Sequence, residues 1–149
     1  GHQLATVALG GQVCTSDHFC LGAAEMHLTP EGKKDPLLSV YDGHRGIHFN
    51  NDVAVVLPED AVLLARDPTG QIEAVRFAER AWGVQFHPEC TPEIFDAWTI
   101  GHGEKEWQQR LPWSEAVTVA ETVRRDIDTV NAEEAFAARF QELIDPEKR

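Results

Sequence analysis

The amino-acid sequence predicts an α/β domain in which a run of short strands is framed by helices at both ends. Three observations predict it. Apolar, β-branched runs broken by turn residues recur through the first half of the chain. After Pro88 the apolar spacing changes from strand-like to helical. The opening residues read as a short helix closed by Gly10-Gly11. Neither a repeat nor a low-complexity linker interrupts the 149 residues, so residues 1–149 read as one unit.

Residues 3–9 carry apolar positions on more than one helical face, and the glycines after them tolerate the left-handed conformation a C-cap needs. Residues 12–15 predict a short strand entering a loop at Ser16-Asp17-His18, and residues 23–28 predict another. Thr29-Pro30-Glu31-Gly32 has turn chemistry. Asp35-Pro36-Leu37-Leu38 opens a helical turn before the loop Asp42-Gly43-His44-Arg45-Gly46. Residues 53–57 and 61–66 are strands separated by Pro58-Glu59-Asp60, and Asp67-Pro68-Thr69-Gly70 turns the chain into residues 72–77. That last run alternates apolar and charged side chains, as a half-exposed strand does, while residues 81–86 predict a buried one.

Thr91-Pro92-Glu93 starts a helix, with Thr as N-cap, Pro in the first position and Ile94, Phe95 and Trp98 along one face. Residues 112–128 start again with a capping signal at Ser114 and carry Val117, Ala120, Val123, Arg124 and Ile127 at helical spacing. Asn131 caps a last helix whose stripe is Ala135, Phe136, Phe140, Leu143 and Ile144. Both stripes read as ordinary core contacts.

The formal charge of −12 argues against a nucleic-acid partner, because phosphate binding needs clustered Lys and Arg, and it reads as a solvated acidic surface. No run approaches the roughly 20 apolar residues of a membrane helix, and no basic-then-apolar leader opens the chain. A soluble cytoplasmic protein is expected, without nucleic-acid or membrane partners. Cys14, Cys20 and Cys90 lack C-x-x-C spacing and read as small core hydrophobes in a reducing compartment, not as a disulfide or zinc framework. His44, His48 and Asp52 recur at four-residue spacing that would suit metal ligands on a helix, but Gly43, Gly46 and Asn50-Asn51 favour a loop. No metal or other cofactor is expected. His2, His18, His27 and His102 have no evident partner and read as structural or exposed.

The sharpest feature is Trp82-Gly83-Val84-Gln85-Phe86-His87-Pro88-Glu89. A buried strand ends there and delivers His87 and Glu89, two residues apart, into the following loop. An imidazole can take a proton from a thiol near neutral pH, and a carboxylate beside it fixes its tautomer and stabilises the imidazolium. By residue type alone the pair is weak evidence for catalysis and suits better a surface or satisfied structural histidine.

The whole string G-V-Q-F-H-P-E resembles the histidine–glutamate signature of class I glutamine amidotransferases, the Cys-His-Glu type. Gly1-His2-Gln3-Leu4-Ala5, with Ala8-Leu9-Gly10-Gly11 after it, resembles the segment that follows the family's nucleophile elbow. Leu28-Thr29-Pro30-Glu31-Gly32 and Asp35-Pro36-Leu37 resemble the stretch leading to an H-x-H-x-D element, which His48-Phe49-Asn50-Asn51-Asp52 occupies here. The similarity is to stand-alone, GMP-synthase-like members. It covers residues 1–100 well and residues 101–149 only as a helical tail.

This resemblance implies a flavodoxin-like fold, a central and mostly parallel sheet with helices on both faces, with the family's N-terminal strands missing from this chain. It implies that the intact protein hydrolyses glutamine to glutamate and ammonia through a cysteine thioester and passes the ammonia to an acceptor. His87 would accept the thiol proton, give one to the leaving ammonia and later activate water, with Glu89 orienting it. Gln3 would contact the bound glutamine, and backbone in a loop around Phe49 and Asn50 would hold its amino-acid end. Glutamine is the expected ligand and an ammonia-accepting synthetase the expected partner.

The resemblance also puts the nucleophilic cysteine two residues before Gly1. Residues 1–149 alone are therefore expected to be inactive, with an upstream segment or second chain supplying the cysteine and the oxyanion donors. Losing one such donor by itself costs about 100-fold to 1,000-fold in rate. None of the three cysteines present sits at a strand-to-helix elbow, and Cys90 follows the histidine instead of preceding it. Asn50 and Asn51 depart from the histidine and small residue more usual in the family, which bears on substrate affinity. Two other readings share the same residues: a related hydrolase that cleaves γ-glutamyl bonds without passing ammonia on, and a non-catalytic amidotransferase-like module that binds or regulates a partner synthetase.

Overall fold

The structure, a computed structural model, describes residues 1–99, 112–127 and 132–145. Helix α1 (His2–Ala8) ends as its glycines require: the Gly10 N–H donates to the Val7 carbonyl at 3.1 Å and the Gly11 N–H to that of Thr6 at 2.8 Å. Gly10 takes φ +94°, where a side chain would be strained, and the paired bonds satisfy carbonyls the helix end leaves open.

Strand β1 (Gln12–Glu25) follows and pairs antiparallel with β3 (Arg45–Val56). The expected loop at residues 16–18 is instead an irregularity inside β1. Thr15 pairs with Asp52 and Cys20 with Asn50, so residues 16–19 bulge opposite Asn51 alone. The expected loop at residues 48–52 is likewise part of a strand, because β1 supplies its backbone with a ladder partner. Cys14 is exposed on β1, contrary to the expectation of a core cysteine, while Cys90 is buried and Cys20 half-buried.

Strand β2 (His27–Leu28), β4 (Val62–Arg66), β5 (Ile72–Ala78) and β6 (Ala81–Val84) form a second sheet in the order β2-β4-β5-β6. Between β2 and β3, the stretch read as a turn is a short helix, α2 (Pro30–Lys34). Its signals were local: the Thr29 Oγ1 accepts from the Gly32 N–H at 3.0 Å, Pro30 opens the helix, and Lys33 and Lys34 close it. Asp35 then turns the chain into a 3₁₀ turn (Leu38–Tyr41) by accepting from the Leu37 and Leu38 N–H groups.

Every strand pairing among the described residues is antiparallel, where a mostly parallel sheet was expected. The connections explain two of these pairings, β4–β5 and β5–β6. β4 meets β5 through residues 67–71, where the Asp67 carboxylate accepts from Thr69 and Gln71, and β5 meets β6 through two residues. Parallel neighbours need a crossover of a dozen or more residues, which these turns do not provide. Strand β5 also departs from a half-exposed face: Ile72, Glu73, Ala74 and Val75 are all buried.

Helix α3 (Pro92–Trp98) starts at Thr91, whose Oγ1 accepts from the Ile94 N–H, as the sequence predicts. Helix α4 (Trp113–Ile127) begins one residue before the expected cap, Ser114; the Pro112 carbonyl takes the first helical bonds instead. Helix α5 is Ala132–Ile144; the expected cap Asn131 and the unpartnered His102 lie outside the described residues. One core gathers Met26, Leu37, Leu38, Tyr41, Leu64 and Phe86 between the second sheet, the 3₁₀ turn and α5. Another gathers Ile47, Cys90, Phe95, Ala120 and Val123, where α3 and α4 cover the β1–β3 pair. On α5, Phe136 and Leu143 pack on the first core, but Ala135, Phe140 and Ile144 are exposed and the stripe is only partly a core face.

Candidate functional site

Residues 85–87 leave one sheet and join the other. The Gln85 N–H donates to the Glu73 carbonyl on β5 at 2.8 Å, and the His87 N–H donates to the Ile47 carbonyl on β3 at 2.8 Å. Phe86 between them is buried against Tyr41, with ring centroids 4.5 Å apart. Phe86 is anchored in the core just past the end of β6, and the next residue, His87, keeps its side chain partly exposed.

His87 Nδ1 lies 2.8 Å from Glu89 Oε1. An ionised carboxylate can only accept, so Nδ1 is the donor to Glu89, and in the neutral imidazole this leaves Nε2 as the acceptor. The imidazole leans edge-to-face on Trp98 of α3, with centroids 4.7 Å apart. Trp98 touches Phe49 at 5.5 Å, and Phe49 meets Phe19 edge-on at 5.1 Å. This aromatic row and the Glu89 bond together restrict the ring from two sides.

All five residues singled out from the sequence, Gln3, Phe49, Asn50, His87 and Glu89, line one open cavity of about 510 Å³. Gly1 and Gln85 line it too. A space of this size accommodates a small metabolite. Gln3 Nε2 donates to Gln85 Oε1 at 3.0 Å and to the Asp52 carbonyl at 3.1 Å, tying α1 to both sheets. The α1 start is seated by Gly83: a Cβ there would stand 2.7 Å from His2 Nδ1 and 2.7 Å from the Phe77 ring. His2 is buried, and burial is the main cause that lowers its pKa to about 4, so it is a neutral packing residue at neutral pH.

Neither Cys14 nor Cys20 lines this cavity, and Cys90 is inert despite its place after Glu89. Burial, then the charges of Glu89 and Glu133, push the Cys90 thiol up to about 12, far from the thiolate a nucleophile needs. Among the described residues no group of three or more His, Cys, Asp or Glu side chains could hold a metal, and no helix is long and apolar enough to cross a membrane.

Sequence reasoning passed over three neighbours of the site. Gln85 was visible inside the signature but given no task. Trp98 was read as a core face of α3. The third is Glu73, whose Oε2 lies 2.7 Å from His48 Nε2. Nothing in the alternating pattern of β5 distinguishes Glu73 from a solvated carboxylate.

The family model for "Glutamine amidotransferase class-I" matches residues 1–101. The GMP synthase [glutamine-hydrolyzing] of Hahella chejuensis is 33% identical over 107 residues, 61% of this chain and 19% of that protein. A glutamine-hydrolyzing GMP synthase subunit of Methanothermobacter thermautotrophicus is 30% identical over 94 residues, 60% of this chain and 47% of that protein. The chain thus spans about a fifth to a half of the length of these relatives. Among solved structures, that of SMU.1228c superposes with a TM-score of 0.70 at 26% identity, covering 95% of this chain and 61% of that one. A glutamine amidotransferase from Thermotoga maritima superposes with a TM-score of 0.73 at 16% identity, covering 96% and 58%, and shows the shared α/β fold. With two thirds of its residues under one family model, this chain belongs to the class I glutamine amidotransferases.

Proposed function

We propose that the protein containing this chain hydrolyses the side-chain amide of glutamine, with His87 as general base and acid and Glu89 as its orienting carboxylate. The observation that carries the reading is the single cavity shared by His87, Glu89, Gln3, Phe49, Asn50 and Gly1. A cysteine two residues ahead of Gly1 in the parent protein would enter at the Gly1 side of that cavity. His87 Nε2, free of the Glu89 bond, takes the thiol proton; the thiolate attacks the amide carbon, and the imidazolium returns the proton to the departing ammonia. Water, deprotonated by the same nitrogen, then hydrolyses the thioester to glutamate. Gln3 contacts the bound substrate, and the β3 backbone at Phe49 and Asn50 holds its amino-acid end. The ammonia goes to a synthetase acceptor, a partner suggested by relatives that are named as one subunit of GMP synthase.

The test is a glutamine-mimicking electrophile added to the full-length protein, followed by intact-mass and peptide analysis, with ammonia release measured alongside. One label on a cysteine ahead of Gly1, none on Cys14, Cys20 or Cys90, and ammonia from glutamine are the expected results. Residues 1–149 alone are expected to release no ammonia. Faster turnover of γ-glutamyl amides than of glutamine would replace the reading with a γ-glutamyl hydrolase. Absence of both label and turnover in the full-length protein would leave a non-catalytic module.

A further inference from the structure

The His48–Glu73 pair is not part of the cavity wall, yet it sits behind both of the surfaces that make the cavity. His48 precedes Phe49 and Asn50 on β3; Glu73 lies on β5, opposite the segment that delivers His87. Both side chains are nearly or wholly excluded from water, at 7% and 0% exposure, and their 2.7 Å contact joins the two sheets.

Main-chain bonds complete a ring through this pair. From Glu73 the backbone carbonyl accepts from Gln85 N–H; the chain runs through Phe86 to His87, whose N–H donates to the Ile47 carbonyl; Ile47 adjoins His48, and His48 returns to the Glu73 side chain. The ring has only two soft sides. One is the segment of residues 85–87, pinned by Phe86 in the core. The other is the side-chain contact. Apolar packing of Ala54 on Ile72 and Val75 also joins β3 to β5, but it is non-directional; if His48 and Glu73 separate, the polar tie that fixes the distance between Asn50 and His87 is lost.

We propose that His48 and Glu73 are positioning residues, a hydrogen-bonded clamp between the sheets that holds the β3 face of the cavity at working distance from His87. Burial explains why two ionisable groups serve here. A buried carboxylate or imidazole left without its partner is costly, so the pair tolerates one arrangement and penalises others, which apolar side chains of the same volume do not. Burial raises the Glu73 pKa and the His48 bond opposes that rise, in keeping with a pair held together by mutual need. Cys20, on the neighbouring strand position opposite Asn50, has its pKa raised by burial and adds no reactive group to the cluster.

This inference rests on the proposed glutaminase activity for its kinetic consequence but not for its structural one. Two variants of the full-length protein separate the cases. Glu73→Gln keeps a side chain able to hydrogen-bond His48. The double variant His48→Leu/Glu73→Leu replaces the pair with apolar side chains and avoids an unpaired buried charge, a change proteins often tolerate without loss of stability. Each is examined by thermal unfolding, by glutamine hydrolysis, and by the ring ¹⁵N shifts of His87 assigned with His87→Gln.

A clamp predicts that Glu73→Gln stays within about threefold of the parent, while the folded double variant loses on the order of 100-fold in kcat/KM, the effect of an ångström-size misplacement. The His87 ring shifts should move in the double variant alone. A folded double variant with parental kinetics and unchanged His87 shifts would overturn the clamp. So would a loss in Glu73→Gln as large as in the double variant, which would make the carboxylate charge the cause. If the parent itself releases no ammonia, the glutaminase reading fails, and the His87 shifts still decide for or against the clamp.

Discussion

His87 owes its place to what flanks it. Phe86 goes into the core, the backbone N–H reaches Ile47, Glu89 takes Nδ1, and Trp98 meets the ring. Replacing the imidazole removes the proposed proton carrier while leaving Phe86 and both backbone bonds in place. His87→Gln in the full-length protein is expected to lower glutamine turnover by about 10²-fold to 10⁴-fold, the usual range for a general base, with little change in melting temperature. Glu89→Gln should cost less, because that side chain is more than half exposed and water screens its interaction with the imidazole. Steady-state ammonia release for the two variants checks the order; an equal or larger loss in Glu89→Gln would contradict it. His87 and Glu89 stood out in the sequence through the family signature, and the structure adds that their side chains lie within hydrogen-bond distance. Asn50 was legible only through the family resemblance, for no local spacing links it to His87.

Among the elements, the contact between α1 and β6 matters most to the cavity. The first turn of α1 lies on Gly83, and Gln3 reaches Gln85 one strand-face further on. The glycine of the G-V-Q-F-H-P-E string is therefore a seat for a helix as well as part of a strand. Gly83→Ala places a methyl group 2.7 Å from the His2 and Phe77 rings, so these rings must shift and the seat of α1 is disturbed. The expected cost is about 1–3 kcal/mol of stability, as for other over-packing changes, measured by urea unfolding. Gln3 should lose its bonds to Gln85 and Asp52 at the same time, so that KM for glutamine rises more than kcat falls. The same change at Gly70, in a turn with open space but a φ of +92°, should affect stability through backbone strain and leave KM alone.

For the whole molecule, acid sensitivity follows from burying His2. Its folded pKa is near 4 against an ordinary value of 6.5, so between those values the unfolded chain binds a proton that the folded chain refuses. Stability is full above about pH 6.5 and is lost as pH falls toward 4, by about 3 kcal/mol at 1.36 kcal/mol per pH unit. Glu73, whose pKa burial raises, works in the opposite sense: its contribution is lost as pH rises. Comparing the parent with His2→Leu cancels the Glu73 contribution. Urea unfolding at pH 7 and pH 4 should show the parent losing about 3 kcal/mol more than the variant. Equal losses would mean that His2 is not buried in solution as it is here.

Several features set within four or five residues were readable from the chain, although the Thr29-capped helix α2 was not. The Gly10-Gly11 stop, the Thr91 cap, the turn at residues 67–70 and the His87–Glu89 pair all depend on short-range hydrogen bonds whose donors and acceptors are sequence neighbours. Features that depend on what lies across a sheet were not. Glu73 alternates with apolar residues like any solvated carboxylate, and its burial became visible only once β3 brought His48 to within 2.7 Å, 25 residues away. The antiparallel pairing of every described strand, the bulge in β1 opposite Asn51, and the meeting of Gly1, Gln3, Asn50 and His87 around one cavity are of the same kind. Periodicity records which side of an element is apolar, but register and the covering element decide what each polar group meets there, and both are settled by contacts between distant parts of the chain.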